Sequence, residues 1–427
     1  MNWAEILQES YAAAVAAADP LKIIRSHLPS PPRGKTLVVG AGKAAASMAA
    51  AVEQAWPDSS PLEGLVITRY AHGLPLRRLQ CIEAGHPVPD SAGEKAAEEI
   101  LNRVKALGPD DLLIALVSGG GSSLLALPVD GVSMSDLKAL TSSLLKSGAP
   151  ITDMNVVRKH LSKIQGGQLA LASRAPVLAL VISDVVGDDP SAIASGPCSA
   201  DPSTYNDAID ILQRWAVVPP PSIEAHLRAG QQGKVPETPK PGDARLAHAR
   251  SIMIATARQS LSAAAEVLIA KGVTTIQMGD SVTGEARDVA QCMASWVCEL
   301  AEDRDAHFRR PVALVSGGEC TVTVRGDGRG GRCAEFLLSM AIAVDELGVA
   351  SRVYGLAADT DGIDGSSPHA GVWLVPETLG RARSGGINPR KALDRNDSLA
   401  VFEPLGQVIT TGPTRTNVND FRVVLIV

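Results

Sequence analysis

Apolar and polar positions alternate along this chain in two textures. The runs TLVVG (36–40), GLVITRY (64–70), LLIALVSGG (112–120) and VLALVISD (177–184) are apolar at consecutive positions, as strands buried on both faces are. Stretches with helical periodicity separate them, beginning with MNWAEILQESYAAAVAAADP, whose Glu5 and Glu9 within an apolar run predict an amphipathic helix rather than a signal peptide. The alternation predicts an α/β fold with a parallel sheet covered by helices. It pauses at 218–246, where six prolines and weak periodicity read as a linker. It then resumes with SIMIAT, VTTIQMG, PVALVSGGECTVTV, RVYGLAADTDG and FRVVLIV. Two domains are therefore expected, 1–235 and 236–427. The hairpin-like TVTVRGDGRGG predicts a mixed sheet in the second. ALVSGG occurs at both 115–120 and 313–318, which reads as convergence on a strand-to-loop sequence rather than duplication.

Several strands end in glycine, serine or aspartate, the place where open α/β sheets hold their ligands. Gly40 and Gly42, with Ala45, satisfy Gly-x-Gly-x-x-Ala between a strand and a helix, a dinucleotide fingerprint. Two features argue against that reading. The next strand ends in Arg69-Tyr70, where a ribose-binding acid belongs, and Lys43 adds a cation to a helix start that is already positive. A bound phosphate would compensate that charge. A conventional P-loop is absent, since Gly34-Lys35-Thr36 precedes its strand and position 29 is proline.

Ser118, Gly119, Gly120, Gly121, Ser122 and Ser123 form a second turn, able to act as an anion nest or simply as a serine-capped loop. In 153–170, Arg158 or Lys159 could pair with a substrate carboxylate or phosphate, with Lys163 on the same helical face as Lys159. Asp184 and Asp189 follow a strand and suit Mg²⁺, as does Asp361 in GLAADTDGIDGSS. Arg325, Arg329 and Arg332 lie among glycines before a helix, a placement that serves charge stabilisation in phosphoryl transfer.

Composition narrows the class. A net charge of −6 and 3% aromatic residues leave no basic, base-stacking surface, so nucleic acid is not expected as a partner. No run reaches membrane-spanning length. Six cysteines without a Cys-x-x-Cys pair suit reduced thiols in the cytoplasm and argue against structural zinc.

Taken together, VVGAGKAAASMA, VSGGGSSLL, NVVRKHLSKIQGGQLA, SDVVGDDPSAIASGP, VSGGECTVTVRGDGRGGR, DTDGIDG and TGPTRTNVND resemble the class II glycerate 2-kinases, whose carboxy-terminal part is the MOFRL domain. The matching segments run from residue 38 to 420. The resemblance implies ATP-dependent phosphorylation of D-glycerate to 2-phospho-D-glycerate with Mg²⁺. It also implies a Rossmann-like three-layer amino-terminal domain, a smaller mixed-sheet MOFRL domain and an active site between them. The family's lysine falls on Lys43 and its arginine on Arg332; Asn417 becomes a substrate-binding candidate, and a homodimer the candidate assembly. Asp184 would bind the metal or take the hydroxyl proton. Some members carry the label hydroxypyruvate reductase, so an NAD(P)H-dependent reductase is the alternative. The sequence departs from the family pattern at Cys333-Ala334, where a more polar pair is common, and at Arg415, where glycine is usual.

Overall fold

A computed structural model describes residues 1–302 and 308–427. It divides into two compact units, Pro20–Ile254 and Met1–Asp19 with Ala255–Val427.

The first unit is built on six strands, β1 (Thr36–Ala41), β2 (Leu62–Arg69), β3 (Gln80–Ala84), β4 (Leu112–Val117), β5 (Val177–Ile182) and β6 (Ala249–Ala255). They lie in the order β3-β2-β1-β4-β5-β6, and β1 to β5 pair in parallel. This is the Rossmann order, and the direction of winding reverses between β1 and β4. The four predicted strands are the four central ones, and β1, β4 and β5 are buried at every position. Leu37, Val39, Leu113, Ala115, Val177 and Val181 share one apolar cluster with Ala97, Ile100 and Val104 of helix Ser91–Lys105. Val38, Ile114 and Leu180 on the opposite face are buried as well, so the strands are apolar at consecutive positions rather than alternating.

The expected boundary at 235/236 is displaced. SIMIAT was assigned to the second domain, but it lies in β6 beside β5, where Val177 N–H donates to the His248 carbonyl at 2.9 Å. The proline-rich 218–246 is not a linker either. It contains helix Pro221–Gln231, whose Ile223 and Leu227 are buried against Tyr205, Ile209 and Leu212. Proline at the first helical turn starts a helix rather than breaking one.

The second unit holds β7 (Thr274–Gln277), β8 (Gly284–Glu285), β9 (Val312–Gly318), β10 (Cys320–Thr321), β11 (Val353–Asp359), β12 (Gly371–Leu374), β13 (Val408–Ile409) and β14 (Asp420–Ile426). Its main sheet has the order β13-β12-β11-β14-β9-β7. β7 and β9 are parallel, whereas β14 runs antiparallel to both β9 and β11. The sheet is mixed as expected, but not through a TVTV hairpin, since β10 pairs in parallel with β8 and the chain after it is irregular. The two ALVSGG copies end strands with different partners, parallel in β4 and antiparallel to β14 in β9, which agrees with convergence.

The amino-terminal helix Trp3–Ala17 belongs to this second unit. Ile6, Leu7, Tyr11 and Ala14 pack on Leu261, Ala264 and Leu268, and the Tyr11 hydroxyl donates to the Asp359 carbonyl at 2.8 Å. Among the described residues no helix is long and apolar enough to cross a membrane.

Candidate active site

The glycine and glycine-serine turns of the first unit meet at the switch point. Because Ala41 of β1 registers with Val117 of β4, the turns leaving the two strands, Gly42-Lys43 and Ser118-Gly119, emerge side by side. Ser118 N–H donates to the Ala41 carbonyl at 3.2 Å, and Lys43 N–H donates to the Gly119 carbonyl at 2.8 Å. Ala44 N–H donates to Ser118 Oγ at 3.1 Å, and Ala45 N–H to the Gly42 carbonyl at 3.1 Å. Gly42 has φ +139°, and a Cβ there would lie 2.5 Å from the Ser118 carbonyl oxygen. Only glycine lets the two turns close on each other.

This arrangement bears on the dual reading of the glycine turn. A dinucleotide clasp gives its helix-start amides to a pyrophosphate. Here the amides of Lys43, Ala44 and Ala45 are bonded within the protein. What the turn presents is the half-buried Lys43 side chain. Its stem runs beside Gly120, whose φ is +81°; a Cβ at Gly120 would lie 3.5 Å from Lys43 Cγ and 2.9 Å from His86 Nε2. Lys43, His86 and the glycine-serine turn are thus neighbours.

On the other side of that turn lies Arg158. Its Nη1 donates to Asn155 Oδ1 at 2.7 Å. Among the described residues no carboxylate lies within ion-pair distance of it, and burial lowers its pKa to about 10, still a cation at neutral pH. It lines a crevice with Ser122, Ser123, Gln165 and Pro87. Lys159, the alternative carboxylate partner, is elsewhere. Its Nζ pairs with Asp201 Oδ1 at 2.7 Å in the buried interior. Burial works against the Asp201 charge, but Lys159 and the Ser203 hydroxyl outweigh it and hold the carboxyl below its ordinary range. Lys159 is therefore a structural cation. Lys163 does not share its helical face, because the helix ends at Lys159 and Lys163 pairs with Asp130 at 2.5 Å.

Of the metal candidates, Asp184 lies just beyond the carboxyl end of β5. Asp189 is engaged locally, accepting from Ser191 N–H at 2.8 Å and Ser191 Oγ at 2.9 Å. Asp361 is buried on the second unit, where its Oδ1 accepts from Ile363 N–H at 2.9 Å. Among the described residues no three His, Cys, Asp or Glu side chains form a metal-binding group.

In the second unit Arg332 opens helix Arg332–Glu346. Asp359 of β11 and Asp420 of β14 are cross-strand partners in register, a like-charge pair that is unfavourable without a cation. Arg332 supplies one. Its Nε donates to Asp420 Oδ1 at 2.7 Å, its Nη2 to Asp359 Oδ2 at 2.7 Å, and its Nη1 lies 3.1 Å from Glu319 Oε1. Burial disfavours the guanidinium charge, but Asp420, Asp359 and Glu319 outweigh it and raise the pKa above the ordinary value. Arg332 is thus fixed at a helix start by carboxylates, rather than carried on a mobile arginine-rich loop.

Behind it, Asp420 Oδ2 accepts from the buried Arg422 at 2.6 Å. Asp364 accepts from the Cys333 and Ala334 amides at 3.0 and 2.9 Å, and burial pushes its pKa up to about 6. The unusual Cys333 and Ala334 side chains are buried, so this cap uses their backbones and tolerates the departure. Arg415 has φ +58°, a conformation suited to the glycine usual there. Asn417 is buried in the same loop, its Oδ1 accepting from Asn419 N–H at 3.2 Å.

His86, Asn155, Ser195, Asp420 and Arg422 were not singled out from sequence. Asp420 ends the quoted TGPTRTNVND, and its place at a strand start beside Arg422 was the available signal.

Comparison with known proteins places these features in a family. Residues 6–228 match a domain of unknown function, DUF4147, and residues 312–420 match the MOFRL family. An Agrobacterium vitis protein named putative hydroxypyruvate reductase is 47% identical, with 99% of this chain and 94% of that protein covered. The glycerate 2-kinase of Pyrococcus horikoshii is 40% identical over 92% of this chain and 88% of its own. The crystal structure of glycerate kinase from Thermotoga maritima superposes with a TM-score of 0.86 at 36% identity, covering 99% of this chain and 98% of the other. With both domains matched in order and relatives aligned along nearly its full length, this chain belongs to the MOFRL family of glycerate 2-kinases.

Proposed function

We propose that the protein transfers the γ-phosphoryl group of ATP to the 2-hydroxyl of D-glycerate, giving 2-phospho-D-glycerate. The observation that carries this over hydride transfer is the internal bonding of the Lys43, Ala44 and Ala45 amides. The turn offers an anion a lysine instead of a pyrophosphate clasp. β2 ends in Arg69, and its one acidic residue, Glu63, lies near the opposite end in an ion pair with Lys35 at 2.7 Å. The hydroxypyruvate reductase name of some relatives therefore lacks support from the turn.

In this reading Arg158 binds the glycerate carboxylate through its guanidinium fork, and the glycine-serine turn Ser118–Ser123 receives phosphate oxygens. Lys43 stabilises the charge on the equatorial oxygens of the phosphoryl group in transfer; Arg332, the family's arginine position, engages Asp420, Asp359 and Glu319 with its guanidinium. Such electrostatic positioning is the main protein contribution to phosphoryl transfer. Mg²⁺ carried by a nucleotide needs only one or two protein oxygens, which fits the scattered carboxylates here, with Asp184 the ligand assigned. Bound there, the ion would neutralise charge on the phosphates. A cytoplasmic location and a homodimer belong to the same reading; six free thiols support the first, and light scattering decides the second.

The test is ADP formation dependent on D-glycerate, with the phosphorylated carbon identified by NMR. NADH or NADPH oxidation with hydroxypyruvate, in the absence of ADP formation, refutes the reading.

A further inference from the structure

The SAIASGP segment carries an observation that the proposed function leaves unused. Ala194, Ser195 and Gly196 have φ of +51°, +59° and +58°. Two successive L-residues therefore adopt the left-handed conformation, in which Cβ crowds the following carbonyl oxygen. Such strain persists only where the surroundings over-determine it, and it concentrates at functional sites. The surroundings are visible. Gly166 and Gly167 N–H donate to the Ser195 and Gly196 carbonyls at 2.9 and 2.7 Å. Gly121 makes room for the segment, since a Cβ there would lie 2.6 Å from that of Ala194.

The strained backbone places Ser195 Oγ, in a fully buried residue, between two parts of the candidate site. Ser195 Oγ lies 2.9 Å from Ser122 Oγ in the glycine-serine turn, and it donates to Asn155 Oδ1 at 3.2 Å. The same Asn155 oxygen accepts from Arg158 Nη1 at 2.7 Å. A continuous chain, Ser122–Ser195–Asn155–Arg158, joins the turn to the guanidinium. Its acceptor toward Arg158 is a neutral amide oxygen. An aspartate at 155 would have the same shape and would satisfy both donors, but it would neutralise the arginine.

We propose that Asn155 and Ser195 are specificity-determining positioning residues: they orient Arg158 while leaving its charge for the carboxylate of a 2-hydroxy acid. The inference rests on the reading in which Arg158 binds that carboxylate. It predicts that the site distinguishes an acid from its uncharged amide, and that neutralising Arg158 from behind abolishes the distinction without disturbing the fold.

The experiment is calorimetric titration of wild type, Asn155→Asp and Ser195→Ala with D-glycerate and with glyceramide, with and without a non-hydrolysable ATP analogue. Wild type binds the acid about tenfold or more tightly than the amide, the range of a charge-assisted hydrogen bond. Asn155→Asp loses that preference by a similar factor while its melting temperature is maintained, a combination that a merely structural role does not produce. Ser195→Ala, which keeps a Cβ in the same backbone conformation, weakens acid binding severalfold. Wild-type affinity for glycerate in Asn155→Asp, or equal wild-type affinity for acid and amide, overturns the proposal. If this binding pattern holds but no glycerate-dependent ADP forms, the phosphoryl-transfer reading fails and the positioning roles stand.

Discussion

Glu319 and Asp420 both contact Arg332, yet removing them should have very different effects. Asp420 is 2% exposed and accepts from two guanidinium groups, Arg332 Nε at 2.7 Å and Arg422 Nη2 at 2.6 Å. Among the described residues Arg422, 1% exposed, otherwise has a cation–π contact with Phe336, at 5.3 Å, and a 3.3 Å bond to the Gly317 carbonyl. Asp420→Ala therefore leaves a buried guanidinium with no carboxylate, a loss of about 3–5 kcal/mol in comparable sites. The Glu319 side chain is 54% exposed, and water replaces much of what it provides, so Glu319→Ala should cost about 0–1 kcal/mol. Because a chain of two units need not unfold in one step, the assay is native-state hydrogen exchange on the amides of β9, β11 and β14. A stability loss below about 1 kcal/mol in Asp420→Ala, or similar losses in the two variants, would refute the assignment of Asp420 as the anchor of the two arginines.

Lys43→Ala, checked for folding, should lower kcat in the glycerate-dependent assay by on the order of 10³, and near-normal turnover removes Lys43 from the phosphoryl site. Gly42→Ala should destabilise the first unit by roughly 2–4 kcal/mol, combining a positive-φ penalty with forced separation of the β1 and β4 turns; denaturation of the variant measures it, and a neutral result means that the turns do not close as described. The raised pKa of Asp364, about 6 against an ordinary 3.8, means that the folded state holds a proton the unfolded chain releases. This group's contribution to stability therefore falls as pH rises from about 4 to 6, by at most about 3 kcal/mol. The pH dependence of unfolding in wild type minus that in Asp364→Asn isolates this slope; parallel curves contradict it.

The four central strands of the first sheet were legible because burial on both faces makes them continuous apolar runs. β3 was not, since only Ala84 in QCIEA is fully buried. The domain boundary was misplaced because prolines signal turns and helix starts alike, and no local feature tells which sheet a strand such as SIMIAT joins. Lys43, the glycine-serine turn and Arg158 stood out in the sequence as candidates. The division of labour between Arg158 and Lys159 was not, because it depends on Asp201 reaching Lys159 from 42 positions away in sequence while Arg158 is left to Asn155. Ser195 acquires its meaning from Ser122 and Asn155, and Asp420 from Arg332, partners that are also remote in the chain. At Arg415 the substitution was visible, but its conformational side, an L-residue held at φ +58°, was not.

The placement of helix Trp3–Ala17 with Ala255–Val427 has a consequence for biosynthesis. The unit Pro20–Ile254 is continuous, so it can fold as a body while the ribosome is still extending the chain. The other unit is split around it. Its first helix emerges early with Ile6, Leu7 and Tyr11 uncovered, and must wait until Leu261, Ala264 and Leu268 have been synthesised. During that interval the helix is the segment exposed to chaperones, proteases or mispairing. Slow completion of the carboxy-terminal half would therefore be felt first at the opposite end of the polypeptide.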